Sequence, residues 1–134
     1  MNAVPYLFFG GRCAEALDFY QDVLGAEIRT VVHFRDMPGA AADNADNVMH
    51  AEMALDGSTI FASDGGSNAG GAGFAMALQV RDDAEAERVF AALSSQGAVE
   101  VPLMSTPFAS RFGKTTDRFG TPWMITTPQL VAQG

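Results

Sequence analysis

His50 and Glu52 are the residues whose types and spacing best suit chemistry. They stand two apart in Val48 to Leu55, a run that leads into the turn pair Asp56-Gly57, so on a strand both side chains leave the same face. Neighbours placed that way could exchange a proton or orient a substrate. A carboxyl enclosed by Phe and Leu would have its pKa raised by desolvation, as a general base requires. The plainer alternative has the two bonded to each other and to backbone groups at a sheet edge or dimer seam. Both are expected in a pocket, and they are the best candidates for catalysis if there is any.

Other chemistry is poorly supported. Ser105, Ser110 and the threonines have no neighbouring His–acid pair, which leaves a hydrolytic triad without a base. Gly113-Lys114-Thr115 resembles the tail of a phosphate-binding loop. However, Phe108 stands where that loop needs Gly, and strand and turn signals follow where a helix should open. Arg111 and Lys114 could attract an anion, although surface solvation suits Lys114. Phe9, Phe108 and Met124 are expected in an apolar lining with Leu7, and Gln79 supplies a polar contact; Trp123 could line or be pure core. Cys13 falls on the apolar stripe of a helix, where a thiol acts as a small hydrophobe.

The elements that must hold these residues fit one compact domain of 134 residues with 48% hydrophobic and 18% charged residues. A net charge of −8 opposes nucleic acid and anionic membrane surfaces as partners. A lone Cys13, the lack of a signal-peptide pattern and the absence of an apolar run near roughly 20 residues point to a soluble, cytoplasmic protein. No cofactor is expected.

In order, Ala3 to Phe9 reads as a strand apolar on both faces. Cys13, Ala16, Leu17, Tyr20 and Leu24 form the stripe of a helix that Gly25 can end, and Glu27 to Phe34 is a strand. Arg35 to Asn47 is a long loop, equally a lid or inert. Val48 to Leu55 and Ser58 to Ser63 form a hairpin through a type I′ turn, with Met49, Ala51, Met53 and Leu55 expected to face a helix. After a Gly-rich connector over residues 65–73 come a strand at Phe74 to Val80 and a helix that Asp82 or Asp83 can cap, with Glu85 placed to complete a capping box from Asp82. Its apolar stripe is Ala86, Val89, Phe90 and Leu93, and its stop is Gly97. A strand at Val99 to Met104, an irregular passage from Ser105 to Ser110 and a closing hairpin from Arg111 to Thr127, turning at Asp117 to Gly120, complete the chain.

The halves match: Gly25-Ala26-Glu27 answers Gly97-Ala98-Val99, and the turn at Asp56-Gly57 answers that at Asp117 to Gly120. A duplicated strand–helix–strand–strand–strand unit follows, an α+β arrangement with module one at about 1–64 and module two at about 74–128. Each sheet would have one face on a helix and one open face, and pairing the open faces would make a curved cup.

Pro5-Tyr6-Leu7-Phe8-Phe9, Ala16-Leu17-Asp18-Phe19-Tyr20, Leu24-Gly25-Ala26-Glu27, Met49-His50-Ala51-Glu52 and Asp117-Arg118-Phe119-Gly120-Thr121-Pro122-Trp123-Met124 resemble PhnB-like proteins. These are members of the vicinal oxygen chelate group, with glyoxalase I, extradiol dioxygenases and the bleomycin and fosfomycin resistance proteins. The resemblance implies paired βαβββ modules with curved mixed sheets, a ligand cup and commonly a homodimer. It implies less about reaction, because one fold hosts many functions. Some PhnB-like sequences carry a 3-demethylubiquinone methyltransferase label, but no Gly-rich loop between strand and helix is present here to hold a methyl donor.

Metal-using members of that group hold a divalent ion with His, Gln and Glu from strands of both modules. Registered on the resemblance, those positions fall at Pro5, near Ala75 and at about Met124, with only Glu52 near an acidic one. A one-residue slip would turn every side chain to the other face. His33, His50, Glu52 and Gln79 give no reliable alternative set, so no metal is expected. The leading expectation is a metal-independent module that binds or sequesters a small, partly apolar molecule. Its rivals are a metal-dependent enzyme of the glyoxalase, dioxygenase or lyase kind with other ligands, and a structural or regulatory dimer.

Overall fold

The structure, a computed structural model, describes residues 1–36, 44–65 and 74–128. The chain divides into two compact units, Met1–Ala69 and Gly70–Gly134. Each contains a helix on a mixed four-stranded sheet, and neither sheet closes on itself.

Unit one runs β1 (Tyr6–Phe8), α1 (Cys13–Leu24), β2 (Glu27–His33), β3 (Val48–Leu55) and β4 (Ser58–Ser63), in the sheet order β1-β4-β3-β2. Only β1 and β4 are parallel. The register sets Leu7 beside Ala62 and Ala62 beside Ala51, a row whose alanines admit α1 closely. Tyr20 of the helix meets Phe9 with ring centroids 6.1 Å apart. Ala51 and Met53 are buried on this face, as the alternation in β3 requires. Gly25 ends α1 in the left-handed region at φ 71°, and Asp56 and Gly57 take φ 48° and 106° in the hairpin turn.

The N-terminus of α1 is secured from far along the chain. Arg12 makes no side-chain cap; instead Asp64 Oδ1 accepts from the backbone N–H groups of Gly11 and Cys13, both at 2.8 Å. Its Oδ2 accepts from Val48 N–H at 2.9 Å, so one carboxylate joins helix, β3 and the end of β4. Beyond β2 comes a single 3-10 turn, Phe34–Asp36. The ends of the expected loop are tied by Arg35 N–H to Ala45 O at 3.0 Å and by Arg35 to Asp46 at 2.7 Å. Residues 37–43, where a lid would have its tip, lie outside the described residues.

Unit two repeats the plan with β5 (Met76–Gln79), α2 (Asp83–Ser94), β6 (Ala98–Thr106), β7 (Ala109–Thr116) and β8 (Pro122–Thr126), in the order β5-β8-β7-β6. Asp82 caps α2 by accepting from Glu85 N–H at 2.9 Å. The Glu85 carboxylate accepts from Arg81 N–H, one residue before the expected box partner. The α2 stripe, Ala86, Val89, Phe90 and Leu93, is buried.

Two local expectations change. Gly97 does not take the left-handed turn after α2, which falls to Gln96 at φ 61°; Gly97 is needed because a Cβ there would overlap the carbonyl oxygen of Thr116. The passage from Ser105 to Ser110 is not irregular but the tight end of a β6–β7 hairpin, with Thr106 opposite Ala109 and Thr106 Oγ1 accepting from Ala109 N–H at 3.1 Å. Gly113 is bare because a Cβ would stand 2.8 Å from the ring of Phe90.

Candidate functional site

With α1 on the Leu7 face of sheet one, the opposite parity is left open. Across it runs one row in register: Tyr6 on β1, Phe61 on β4, Glu52 on β3 and Thr30 on β2. The next row includes Phe8, and His50 opposite Val32. Tyr6 and Phe8, two apart on one short strand, stack at 4.9 Å with planes 6° apart. The His50 ring lies 5.0 Å from Phe61 and 5.6 Å from Tyr6, edge-on to both. Tyr6 Oη and His50 Nδ1 are 2.9 Å apart, a hydrogen bond whose donor is set by the imidazole tautomer.

His50 and Glu52 thus share a face, but His50 is bonded to Tyr6 rather than to the carboxylate. Glu52 is half-buried, and among the described residues it has neither hydrogen-bond nor ion-pair partner. The basic groups of its own sheet are otherwise engaged: Arg29 lies 3.7 Å from Glu27 and His33 lies 3.8 Å from Asp36. His33 pairs with buried Val48, a position away from the His50 row, so it does not join His50 and Glu52.

Leu7 and Phe9, expected as ligand contacts, are core: 7% and 2% exposed, on the helix side. Their neighbours Tyr6 and Phe8, 40% and 38% exposed, occupy the open face instead. Sequence reasoning missed Tyr6, Phe8 and Phe61, because β1 is apolar on both sides and hydrophobicity cannot choose between them. The Tyr6 hydroxyl, the only polar side-chain group in that strand, was the available signal.

On the open face of unit two, Met124 sits between Ala77 and Lys114, and the next row includes Gln79, Thr126, Phe112 and Met104. Phe108 meets Phe112 edge-on at 5.3 Å. Met124, Gln79 and Phe108 therefore lie on or beside this face. Arg111 does not: its guanidinium turns toward α2, 3.4 Å from Asp83 and 3.5 Å from Glu87, leaving it already paired for an anion. Ser110 donates to Asp83 and shares a 3.0 Å hydrogen bond with Thr127, a structural network with no imidazole. Lys114 lies 3.7 Å from Glu100.

The closing motif is a lock. Asp117, 3% exposed, accepts at Oδ1 from Phe119 N–H at 2.9 Å and Thr121 N–H at 3.1 Å, and at Oδ2 from the Trp123 indole at 2.8 Å. Trp123 is 1% exposed and so is core, not lining. Cys13 is also core; burial first, and then the charge of Asp64, push its thiol up to about 12.

Two of the side chains at the expected metal-ligand positions stand without a further carboxylate or imidazole among their register neighbours. The Met124 thioether has an alkyl group and an ammonium-bearing side chain as register neighbours, and Glu52 has Thr30 and Phe61. Among the described residues no group of three or more His, Cys, Asp or Glu side chains is placed to hold a metal. Nor is any helix among them long and apolar enough to cross a membrane.

Residues 1–126 match the profile of the family described as 3-demethylubiquinone-9 3-methyltransferase. The chain is 37% identical to Protein YjdN of Escherichia coli (strain K12), covering 93% of this chain and 94% of that protein. This chain belongs to the PhnB-like family. Its fold is shared by protein PA1353 from Pseudomonas aeruginosa, with TM-score 0.88 and 38% identity over 96% of this chain and 98% of that one. A Bacillus cereus structure described as a putative 3-demethylubiquinone-9 3-methyltransferase, PhnB protein, matches with TM-score 0.78 and 25% identity over 95% and 99%. A glyoxylase/bleomycin resistance protein/dioxygenase domain from Frankia sp. EAN1pec, 12% identical over 96% and 92% with TM-score 0.63, places this PhnB-like chain in the wider fold.

Proposed function

We propose that this PhnB-like protein binds a small, partly apolar molecule on the open face of its first sheet, without a catalytic metal, as a homodimer in the cytoplasm. The observation that carries the reading is the aromatic row itself. Tyr6, Phe8, Phe61 and His50 lie together on the face away from α1, beside a carboxylate that the described protein leaves unused. Rings held by strand pairing are already ordered, so a flat ligand can stack on them at little entropic cost. The lone, buried Cys13 suits a reducing compartment. Exposed Val31 on β2, and Val99 and Met104 on β6, offer apolar surface to a second copy.

The test is a thermal-shift screen of small aromatic molecules and of divalent ions on protein purified without chelator, with elemental analysis and sedimentation alongside. Stabilisation by ring compounds and none by any ion supports the reading. A stoichiometric metal would overturn its metal-free part, and a monomer would overturn the dimer.

A second reading, an acid–base enzyme, is favoured by the 2.9 Å contact between Tyr6 Oη and His50 Nδ1. The phenol would fix the imidazole tautomer and so aim Nε2 as the proton-transfer atom, with Glu52 nearby to bind or deprotonate substrate. Replacement of His50 by Gln and of Glu52 by Gln should then each abolish whatever turnover is found; unchanged turnover in both removes the enzyme reading.

A further inference from the structure

We propose that the molecule held on the first sheet is a flat organic cation, an aromatic ring carrying a fixed positive charge. The proposal rests on the reading of that face as a binding surface and adds the charge of the occupant. Two features of one register row ask for the same ligand. Tyr6 and Phe61 are register neighbours, aromatic rings of the kind whose faces carry the negative end of the quadrupole, and Phe61 is the direct neighbour of Glu52. Glu52 is half-buried and has no basic partner among the described residues, since Arg29 and His33 are turned to Glu27 and Asp36. A bound cation would give that carboxylate the counter-charge its neighbours do not supply, while its ring covers the exposed aromatics.

The opposite charge is disfavoured twice. An anion would meet Glu52 at short range and a chain of net charge −8 at long range. Of the two basic side chains expected to attract anions, Arg111 is paired with Asp83 and Glu87 and Lys114 lies 3.7 Å from Glu100. A neutral ring would stack but leave the carboxylate unanswered. Stacking area and charge together point to a planar cation rather than to a compact ion, which would leave the Tyr6–Phe8 pair uncovered.

The experiment is a titration calorimetry series on the full chain with three probes of one shape: N-methylquinolinium, neutral quinoline and 1-naphthoate. The expected order is cation, then neutral ring, then anion, with roughly tenfold or more between the first and last. Glu52→Gln should bring the cation down toward the affinity of quinoline, whereas Glu52→Asp should recover part of the preference. Thermal melts of both variants confirm folding, and binding of quinoline by each variant does so independently. Equal affinity for cation and anion, or a charge preference that survives Glu52→Gln, would overturn the charge assignment while quinoline binding lost in Phe61→Ala keeps the face. Failure of all three probes to bind, or unchanged binding in Phe61→Ala, would overturn both.

Discussion

The two units share one plan and differ in where they place their polar groups. Unit one spends a carboxylate at each extreme: Asp64 is saturated by three backbone N–H groups, and Glu52 is left on the open face among rings. Unit two ties the polar groups of its closing turn and β7 into structure. Asp117 takes two backbone N–H groups and an indole, Arg111 and Ser110 are held by Asp83, and Lys114 lies by Glu100. A scaffold used twice can thus leave a carboxylate on an open aromatic face in one copy and hold its acidic turn residue in hydrogen bonds in the other. The turn joining the last two strands makes the contrast compact. Unit one needs only Asp56-Gly57, two residues with positive φ, whereas unit two winds Asp117 to Thr121 around a buried carboxylate.

That contrast predicts unequal costs. Asp117→Asn keeps one acceptor oxygen and aims an amide at a donor, so it should lower stability by about 3 kcal/mol, read as a drop in the urea midpoint. Asp56→Ala, by comparison, should cost only about 1 kcal/mol, the strain of an alanine in the left-handed region. Similar costs for the two would erase the distinction between the turns. Next, Asp64→Asn should cost about 2 kcal/mol and speed hydrogen exchange at Gly11, Cys13 and Val48, while the amides of unit two stay protected. Gly113→Ala forces a methyl toward Phe90 and should cost about 1–2 kcal/mol by overpacking.

A separate effect is alkaline. Folding raises the Cys13 thiol from its ordinary 9.0 to about 12, so between these values the unfolded chain releases a proton that the folded chain keeps. Stability therefore falls as pH rises through that window, and Cys13→Ala should flatten the dependence. Native Cys13 should also resist alkylation that the unfolded chain accepts readily.

Much of the fold was legible because its signals are local. The α1 stripe, Gly25, the Asp56-Gly57 turn, the Asp82 cap and the matching order of the halves each follow from a few adjacent residues, and the PhnB-like motifs gather them into one family. Long-range choices were not legible in the same way. Asp64 caps a helix that begins 51 residues earlier, a pairing no local pattern announces. Pro107 and the mixed residues around it hid a tight β6–β7 turn that is held by the Thr106 side chain. At the site, His50 and Glu52 were found because polar residues at alternate positions stand out in an apolar strand. The rings around them were not, since both faces of that strand are apolar and only the packing of the folded chain, where Phe9 meets Tyr20, turns Leu7 and Phe9 inward.

The central claim is that ligand binding depends on the open face of unit one, and a pair of matched truncations tests it most directly. Phe61 and Phe112 each stand on the open face of their own sheet, so quinoline titrations of Phe61→Ala and Phe112→Ala ask the same question of each unit. The account predicts roughly tenfold or greater weakening in the first and less than about threefold in the second. Equal losses, or a larger loss at Phe112, would contradict it.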